Sequence, residues 1–154
     1  MSGKDAAQEE HLRPMDHTAQ NRCFGCGPAN EIGLHLKHFL AEDNSVVSTA
    51  TIPDTYEGPK GCLHGGIIAT LLDETMSKAV RATGVTAMTR QMEVEYLRPV
   101  PSGAPIRMEG RVSHHEGRKV WTQARIVDER GNELATGKGL FIAVRGADAA
   151  KAKS

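Results

Sequence analysis

The sequence predicts an α+β fold in which an antiparallel β-sheet wraps around one long central helix. Three observations support this prediction. One apolar segment with helical periodicity lies near the middle of the chain, strand-like segments lie on both sides of it, and turn residues divide those segments at short intervals. The resulting order, β-β-α-β-β-β-β, permits a sheet that buries one face against the helix.

The length and composition favour one globular domain without a nucleic-acid or membrane partner. The chain has 154 residues, with 19 basic and 19 acidic residues and a formal net charge of +0, so it lacks the basic surface of a nucleic-acid-binding protein. No apolar run approaches the roughly 20 residues of a membrane span, and the N-terminal residues lack the apolar core of a signal peptide. We therefore expect a cytoplasmic protein.

The two ends of the chain are polar and show no periodicity. We expect residues 1–20 and 146–154 to be flexible tails and residues 21–145 to form the domain. Cys23 and Cys26 have the spacing of a zinc ligand pair, but no second pair follows, and zinc usually takes four ligands. This pattern predicts a tight glycine-rich turn with small, buried, reduced thiols, and no metal or cofactor.

Two strands are predicted before the helix. Alternating apolar residues indicate a strand over Ile32–Leu40, and β-branched residues indicate a second over Val46–Ile52. A polar turn joins the two segments as a hairpin. The loop that follows contains Pro53 and Pro59, which cannot continue a strand, so the chain passes from there to the helix.

The helix is predicted from its apolar spacing and from the residues at its two ends. It follows His64 and runs to about Ala82, where Thr83 and Gly84 end it. The apolar positions that define it are Ile67, Ile68, Leu71, Leu72, Met76, Ala79 and Val80. Four long strands are predicted after the helix, at Ala87–Arg98, Ala104–His114, Lys119–Asp128 and Glu133–Val144.

The helix also carries the best candidates for chemistry. Glycines in its first turn allow close approach of a ligand, and the free amides there form the positive end of the helix dipole, which can hold an oxyanion. Asp73 lies within the apolar helix, where a carboxylate is costly unless it is paired or used. His64 and Asp73 are roughly 13–14 Å apart along the axis, so a second copy of the chain must supply one of them to a shared site. Glu74 points about 100° away from Asp73, and we expect it to be a supporting or surface group.

These residues resemble those of a known family. The pattern HGG-x6-D over residues 64–73 is similar to that of the hotdog-fold acyl-CoA thioesterases of the PaaI type. Two further stretches agree with it, residues 23–36 (CFGCGPANEIGLHL) and 95–100 (EYLRPV). The resemblance covers about residues 22–144 and implies the hotdog fold, an acyl-CoA substrate, and a homodimer or a dimer of dimers.

The resemblance also implies roles for individual residues. The Gly65 amide would bind the thioester oxygen, with Gly66 also at the substrate site. His64 would orient the loop or interact near the leaving sulfur. Asp73 of a second subunit would be the general base or the direct nucleophile, and Thr89 would help to orient the attacking water. These roles are expectations from the resemblance.

The sequence leaves the oxyanion site, the phosphate contacts and the function open to alternatives. Many relatives carry an asparagine six residues before the histidine, whereas this chain has Gly58 at this predicted substrate-site position, so the oxyanion site would rely on backbone amides. Arg98, Arg118 and Lys119 are candidates for the coenzyme A phosphates, although basic residues in turns are commonly only solvated. A non-catalytic acyl-CoA-binding protein and a hotdog enoyl-CoA hydratase or dehydratase remain the alternative functions.

Overall fold

The computed structural model describes residues 11–145 of the chain. The predicted C-terminal tail, 146–154, and the first half of the predicted N-terminal tail lie outside the described residues. The described part contains one α-helix, a short 3-10 helix at Asp54–Tyr56, and seven strands that form a single antiparallel sheet packed on the α-helix. This arrangement confirms the predicted α+β class.

The helix, α1, spans Gly65–Ala82 and agrees with the sequence prediction. Thr83 caps its C-terminus, and Gly84 follows with φ +85°, a conformation that glycine adopts without strain. Its buried side chains recur every three or four residues, at Ile68, Leu71, Leu72, Thr75, Met76, Ala79 and Val80. This wide apolar face explains why the helix lies inside the sheet.

The sheet contains short strands at one edge and long strands elsewhere. In chain order the strands are β1 Arg13–Pro14, β2 Phe39–Leu40, β3 Val46–Thr51, β4 Ala87–Tyr96, β5 Pro105–Glu116, β6 Lys119–Val127 and β7 Glu133–Ala143. Their spatial order is β1-β2-β3-β5-β6-β7-β4, and all neighbours are antiparallel. The long strand β4 therefore lies at an edge, where its outer backbone groups are available for pairing.

The helix approaches the sheet most closely where β5 crosses it. A Cβ atom at Gly110 of β5 would lie 2.8 Å from Thr75 Cγ2 and 3.1 Å from the Thr75 carbonyl oxygen. The Thr75 hydroxyl is buried and donates a hydrogen bond of 2.7 Å to the carbonyl oxygen of Leu71, one turn earlier. The absence of a side chain at position 110 thus sets the distance between α1 and β5.

The predicted strand over Ile32–Leu40 is wrong for most of its length, because only Phe39 and Leu40 join the sheet. Exposed and more buried side chains alternate from Leu34 to His38, whereas Ile32 is 78% exposed. The backbone amides of this segment bond elsewhere. Leu34 N–H and Leu36 N–H donate to the carbonyl oxygens of Phe24 and Gly25, at 2.7 and 2.9 Å. His35 between them has φ +50°, which interrupts a regular strand.

A short strand also lies in the segment 1–20, to which the sequence assigned no element. β1 pairs with β2 across two residue positions, and the Met15 amide donates to the His38 carbonyl oxygen at 2.9 Å. The described residues 11–20 therefore contact the domain. Within residues 11–145, no helix has both the length and the hydropathy that crossing a membrane requires.

Candidate active site

The start of α1 is organised by His64, which is its N-cap residue. His64 Nδ1 accepts a hydrogen bond of 2.9 Å from Gly66 N–H. Because Nδ1 is an acceptor, the neutral imidazole carries its proton on Nε2, which is a donor. The Gly66 amide is thus already bonded, whereas the Gly65 amide donates no hydrogen bond within the described residues. Gly65 N–H is the free donor at the positive end of the helix.

The sequence reasoning missed a residue that supports this helix start. The hydroxyl of Tyr96, the last residue of β4, donates a hydrogen bond of 2.9 Å to the Gly65 carbonyl oxygen. Its ring lies 3.6 Å from the point where a Cβ of Gly65 would be. Tyr96 belongs to the stretch 95–100 used for the family resemblance, so its position was the available signal.

The loop before α1 packs tightly against His64. The His64 amide donates to the Tyr56 carbonyl oxygen at 2.9 Å, and the Gly58 amide donates to the Cys62 carbonyl oxygen at 3.0 Å. A Cβ atom at Gly58 would lie 3.2 Å from His64 Cα. The structure therefore brings Gly58 and His64 together, and glycine at position 58 allows the close approach of their two backbone segments.

Asp73 and Thr89 form a direct side-chain pair. The Thr89 hydroxyl donates a hydrogen bond of 2.6 Å to Asp73 Oδ1. Thr89 lies early in β4, where the register with β7 shifts between Thr89 and Gln91, and such a bulge can redirect a side chain. Asp73 is half-buried and Thr89 is exposed. The pair therefore lies at the surface of the single chain, beside the edge of the sheet.

The two parts of the candidate site do not meet within one chain. Gly65 and Asp73 lie on the same helix, eight positions apart, and at about 1.5 Å per residue their separation along the axis is roughly 12 Å. One thioester group cannot contact the free amide of Gly65 and the carboxylate of Asp73 across that distance. Within a single chain these two candidate groups therefore lie too far apart to act on the same thioester.

Glu74 faces a different environment from Asp73. Cys23 Sγ donates a hydrogen bond of 3.0 Å to Glu74 Oε1, across a sequence separation of 51 positions. Cys26 is buried beside this pair, and burial, followed by the charge of Glu74, raises the pKa of its thiol to about 12. Because its Oε2 atom is buried, Glu74 fits the expected role of a supporting group better than that of a surface group.

The three basic candidates lie at the surface. Arg118, in the turn between β5 and β6, donates from Nε to the Ala143 carbonyl oxygen at 3.0 Å, which attaches its side chain to the end of β7. Lys119 begins β6, Arg98 follows β4, and both are exposed. Their proposed contact with coenzyme A phosphates stays a prediction.

Comparisons with known proteins show which family this chain resembles. The model of the thioesterase superfamily matches residues 60–135. Acyl-coenzyme A thioesterase THEM4 of Xenopus laevis is 37% identical over 87 residues, which cover 56% of this chain and 39% of that protein. The chain therefore spans well under half the length of this curated relative.

Solved structures share the fold over most of the domain. One thioesterase superfamily protein has a TM-score of 0.76 at 28% identity, and the match covers 90% of this chain and 73% of that chain. A second has a TM-score of 0.65 at 30% identity, and the match covers 73% of this chain and 86% of that chain. The PaaI protein of E. coli has a TM-score of 0.68 at 20% identity, covering 73% of this chain and 82% of its own. A Streptococcus pneumoniae thioesterase protein solved with coenzyme A has a TM-score of 0.63 at 20% identity, covering 65% and 81%.

The PaaI resemblance inferred from the motifs is thus confirmed at the level of the fold, which is the hotdog fold. The 30% identical structure, 86% of which is covered, extends the relationship from fold to family. The chain belongs to the thioesterase superfamily.

Proposed function

We propose that the chain is an acyl-CoA thioesterase, which hydrolyses the thioester of an acyl-CoA to a carboxylic acid and free coenzyme A. The observation that carries this proposal is the hydrogen-bonded pair of Asp73 and Thr89 at the surface beside the β4 edge. A carboxylate oriented by a hydroxyl is suited to activating water or to attacking a carbonyl carbon. The free amide of Gly65 supplies the second requirement, a donor for the oxyanion.

The comparisons supply independent support. The X. laevis relative is named an acyl-coenzyme A thioesterase, and the S. pneumoniae protein was solved with coenzyme A. That S. pneumoniae protein was also solved with one aspartate and, separately, one threonine replaced by alanine, at positions 16 apart, which equals the separation of Asp73 and Thr89. The same spacing favours the same pair of functional side chains.

In the proposed reaction the thioester carbonyl oxygen accepts a hydrogen bond from Gly65 N–H. Negative charge develops on this oxygen in the transition state, so a fixed donor at the positive helix end lowers the barrier. Asp73 then acts in one of two ways. As a base it removes a proton from water, whose oxygen attacks the carbonyl carbon. As the nucleophile it forms a mixed anhydride as the carbon–sulfur bond breaks, and water then hydrolyses this anhydride to the acid. His64, with its proton on Nε2, lies beside the leaving sulfur, and the sulfur departs as the thiol of coenzyme A once it is protonated.

The proposed active unit contains two chains related by a two-fold axis, as a homodimer or within a dimer of dimers. The roughly 12 Å between Gly65 and Asp73 requires the two groups of one site to come from different subunits. The edge strand β4 is the proposed contact, because its outer backbone groups can pair and the large side chains Met88 and Tyr96 in it are 60% and 54% exposed. In this assembly, Arg98, Arg118 and Lys119 are the proposed contacts for the coenzyme A phosphates.

A thiol-release assay with short, medium, long and aryl acyl-CoAs tests the function directly. We expect at least one substrate to release coenzyme A, and we expect Asp73→Asn to lower kcat on the order of 10²-fold or more while the chain stays folded. If the folded wild-type protein releases no thiol from any member of the panel, this result contradicts the proposed thioesterase activity. Normal turnover by a folded Asp73→Asn variant removes this carboxylate from the mechanism.

A further inference from the structure

A second cluster of reactive side chains lies next to the candidate active site. The loop over residues 23–27 folds against α1 and places two thiols beside one carboxylate. One ligand atom each of Cys23, Cys26 and Glu74 lies within 4.8 Å of the other two. Cys26 is buried, and the other two residues are half-buried. Sequence spacing alone gave only the two cysteines, because the third member comes from a helix 51 positions later than Cys23.

The loop is shaped to reach this carboxylate. The Gly27 amide donates to the Cys23 carbonyl oxygen at 2.8 Å, which closes the turn that brings the two thiols to the same side. A Cβ atom at Gly25 would lie 2.2 Å from Glu74 Cγ, so only glycine at position 25 permits the observed approach. The contact between the loop and Glu74 is therefore part of the fold.

The carboxylate of Glu74 is left incompletely satisfied by the protein. Its Oε1 atom accepts the hydrogen bond from Cys23, but its Oε2 atom is buried and has no hydrogen-bond partner in the described part of the chain. A buried carboxylate oxygen without a partner is costly and requires an explanation. A cation bound between this carboxylate and the two sulfurs provides one.

We propose that Cys23, Cys26 and Glu74 bind one zinc ion that fastens the segment before β2 to α1. Two thiolates and one carboxylate are ligands that Zn²⁺ accepts in a tetrahedral arrangement, and a Cys-x2-Cys turn allows both sulfurs to contact one ion. On binding, each thiol releases its proton to solvent. A water molecule from the adjoining cavity completes the four ligands.

The surroundings fit a zinc ion in charge and in access. Two thiolates and one carboxylate carry one negative charge more than Zn²⁺ neutralises, and Lys78, beside Cys26, supplies the compensating positive charge. A cavity of about 560 Å³ adjoins the cluster and is lined by His17, Lys78 and all three proposed ligands. This cavity provides both an entry path for the ion and room for the water ligand.

The site does not depend on thioester hydrolysis, because Asp73 and Gly65 are not among its ligands. Its effect is on stability, since an ion that binds only the folded chain raises the free energy of unfolding. It holds residues 23–36, whose amides at Leu34 and Leu36 bond to the same loop, against the helix.

The test uses the full-length chain, stripped of metal and kept reduced with a non-thiol reductant. Titration with Co²⁺, a spectroscopic substitute for zinc, should produce a thiolate charge-transfer band and the visible bands of tetrahedral cobalt at one ion per chain. Zinc should displace the cobalt and raise Tm. Competition against a chromophoric chelator then gives the zinc affinity, which Cys23→Ser should lower by at least about 100-fold, because even the neighbours of metal ligands affect affinity 10–100-fold.

Two further variants make the result specific to this site. Cys62→Ser removes the third cysteine, which is half-buried in the loop before α1, and it should bind zinc as the wild type does. Glu74→Gln should lower zinc affinity and leave one-to-one binding at high zinc. Wild-type protein that gives no tetrahedral cobalt spectrum overturns the proposal, and so does unchanged zinc affinity in Cys23→Ser. The wild-type measurement needs no variant, so a misfolded variant cannot obscure the answer.

Discussion

Replacement of Thr89 by valine tests the contact on which the proposed chemistry rests. Valine has nearly the same shape as threonine and suits a strand equally well, but it cannot donate the 2.6 Å hydrogen bond to Asp73 Oδ1. A hydrogen bond to a charged group contributes about 1.5–3 kcal/mol, and each 1.4 kcal/mol in the barrier is about a tenfold change in rate. Because Thr89 is exposed in the single chain, water competes for this bond, so the lower end of the range applies.

We therefore expect Thr89→Val to lower kcat about tenfold, with KM changed less than twofold. The threonine orients the carboxylate and the attacking water, which matters in the transition state more than in substrate binding. Steady-state thiol release on the best substrate of the panel measures both constants. Tm should fall by no more than about 3–6 °C, because a bond of about 1.5 kcal/mol is lost and each kcal/mol shifts Tm by about 2–4 °C in a domain of this size.

Thr89→Ser is the matched control for this prediction. Serine keeps the hydroxyl and loses only a methyl group, so its kcat should remain within about threefold of the wild type. A Thr89→Val enzyme with wild-type kcat would refute the reasoning, because the contact with Asp73 would then be incidental. Equal losses in the serine and valine variants would also refute it, since the hydroxyl would not be the group that matters.

Three other predictions address the assembly, the pH dependence of stability and the core. Asp73→Asn chains and Gly65→Pro chains should each be nearly inactive alone. Mixing them should restore up to about one working site in each mixed dimer, and no recovery of activity in proven mixed dimers argues against a two-chain site. Burial lowers the pKa of His38 from 6.5 to about 3, so between pH 7 and pH 5 this histidine takes up a proton in the unfolded chain but not in the folded one. The free energy of unfolding should therefore fall by about 2 kcal/mol over this pH range. Denaturant unfolding should show a smaller fall in His38→Gln, and an equal fall in both proteins would contradict this assignment. Gly110→Ala should lower the free energy of unfolding by about 1–3 kcal/mol, because its Cβ would lie 2.8 Å from Thr75 Cγ2, and denaturant unfolding with no loss would show that α1 shifts freely.

The helix and the four strands after it could be predicted because their signals are local. α1 has apolar residues at helical spacing, and its predicted end at Ala82 is the observed one. The strands β4 to β7 are long, and turn residues bound them, so their predicted limits differ from the observed ones by at most about two residues. Periodicity is sufficient to predict an element where the backbone hydrogen bonds lie within the helix or the sheet itself.

The segment over residues 32–38 could not be predicted in the same way. Apolar residues alternate along it, but this periodicity does not show which groups accept the hydrogen bonds of its amides. These acceptors are carbonyl oxygens of the loop that contains Phe24 and Gly25, so the segment is extended without being a strand of the sheet. Non-local partners of this kind carry no signal in a single sequence.

The candidate site shows the same division. The free amides of the helix start followed from the sequence itself, since two glycines open the apolar helix. The role of His64 as the N-cap residue was not predicted. The family resemblance gave Asp73 and Thr89 separate roles, but it predicted neither their contact with each other nor the contact of Glu74 with Cys23. Both contacts join elements that are distant in sequence, by 16 and 51 positions.

The position of β3 in the sheet has a consequence for dividing this chain into parts. The family model begins at residue 60, but β3 pairs with β5 along six positions and buries Val46, Val47 and Ser48 almost completely. A chain shortened to begin at residue 60 would expose the inner edge of β5 and lose these side chains from the core. We expect such a fragment to aggregate through that edge. The family-model match, residues 60–135, is therefore shorter than the stretch that must be synthesised for the domain to fold.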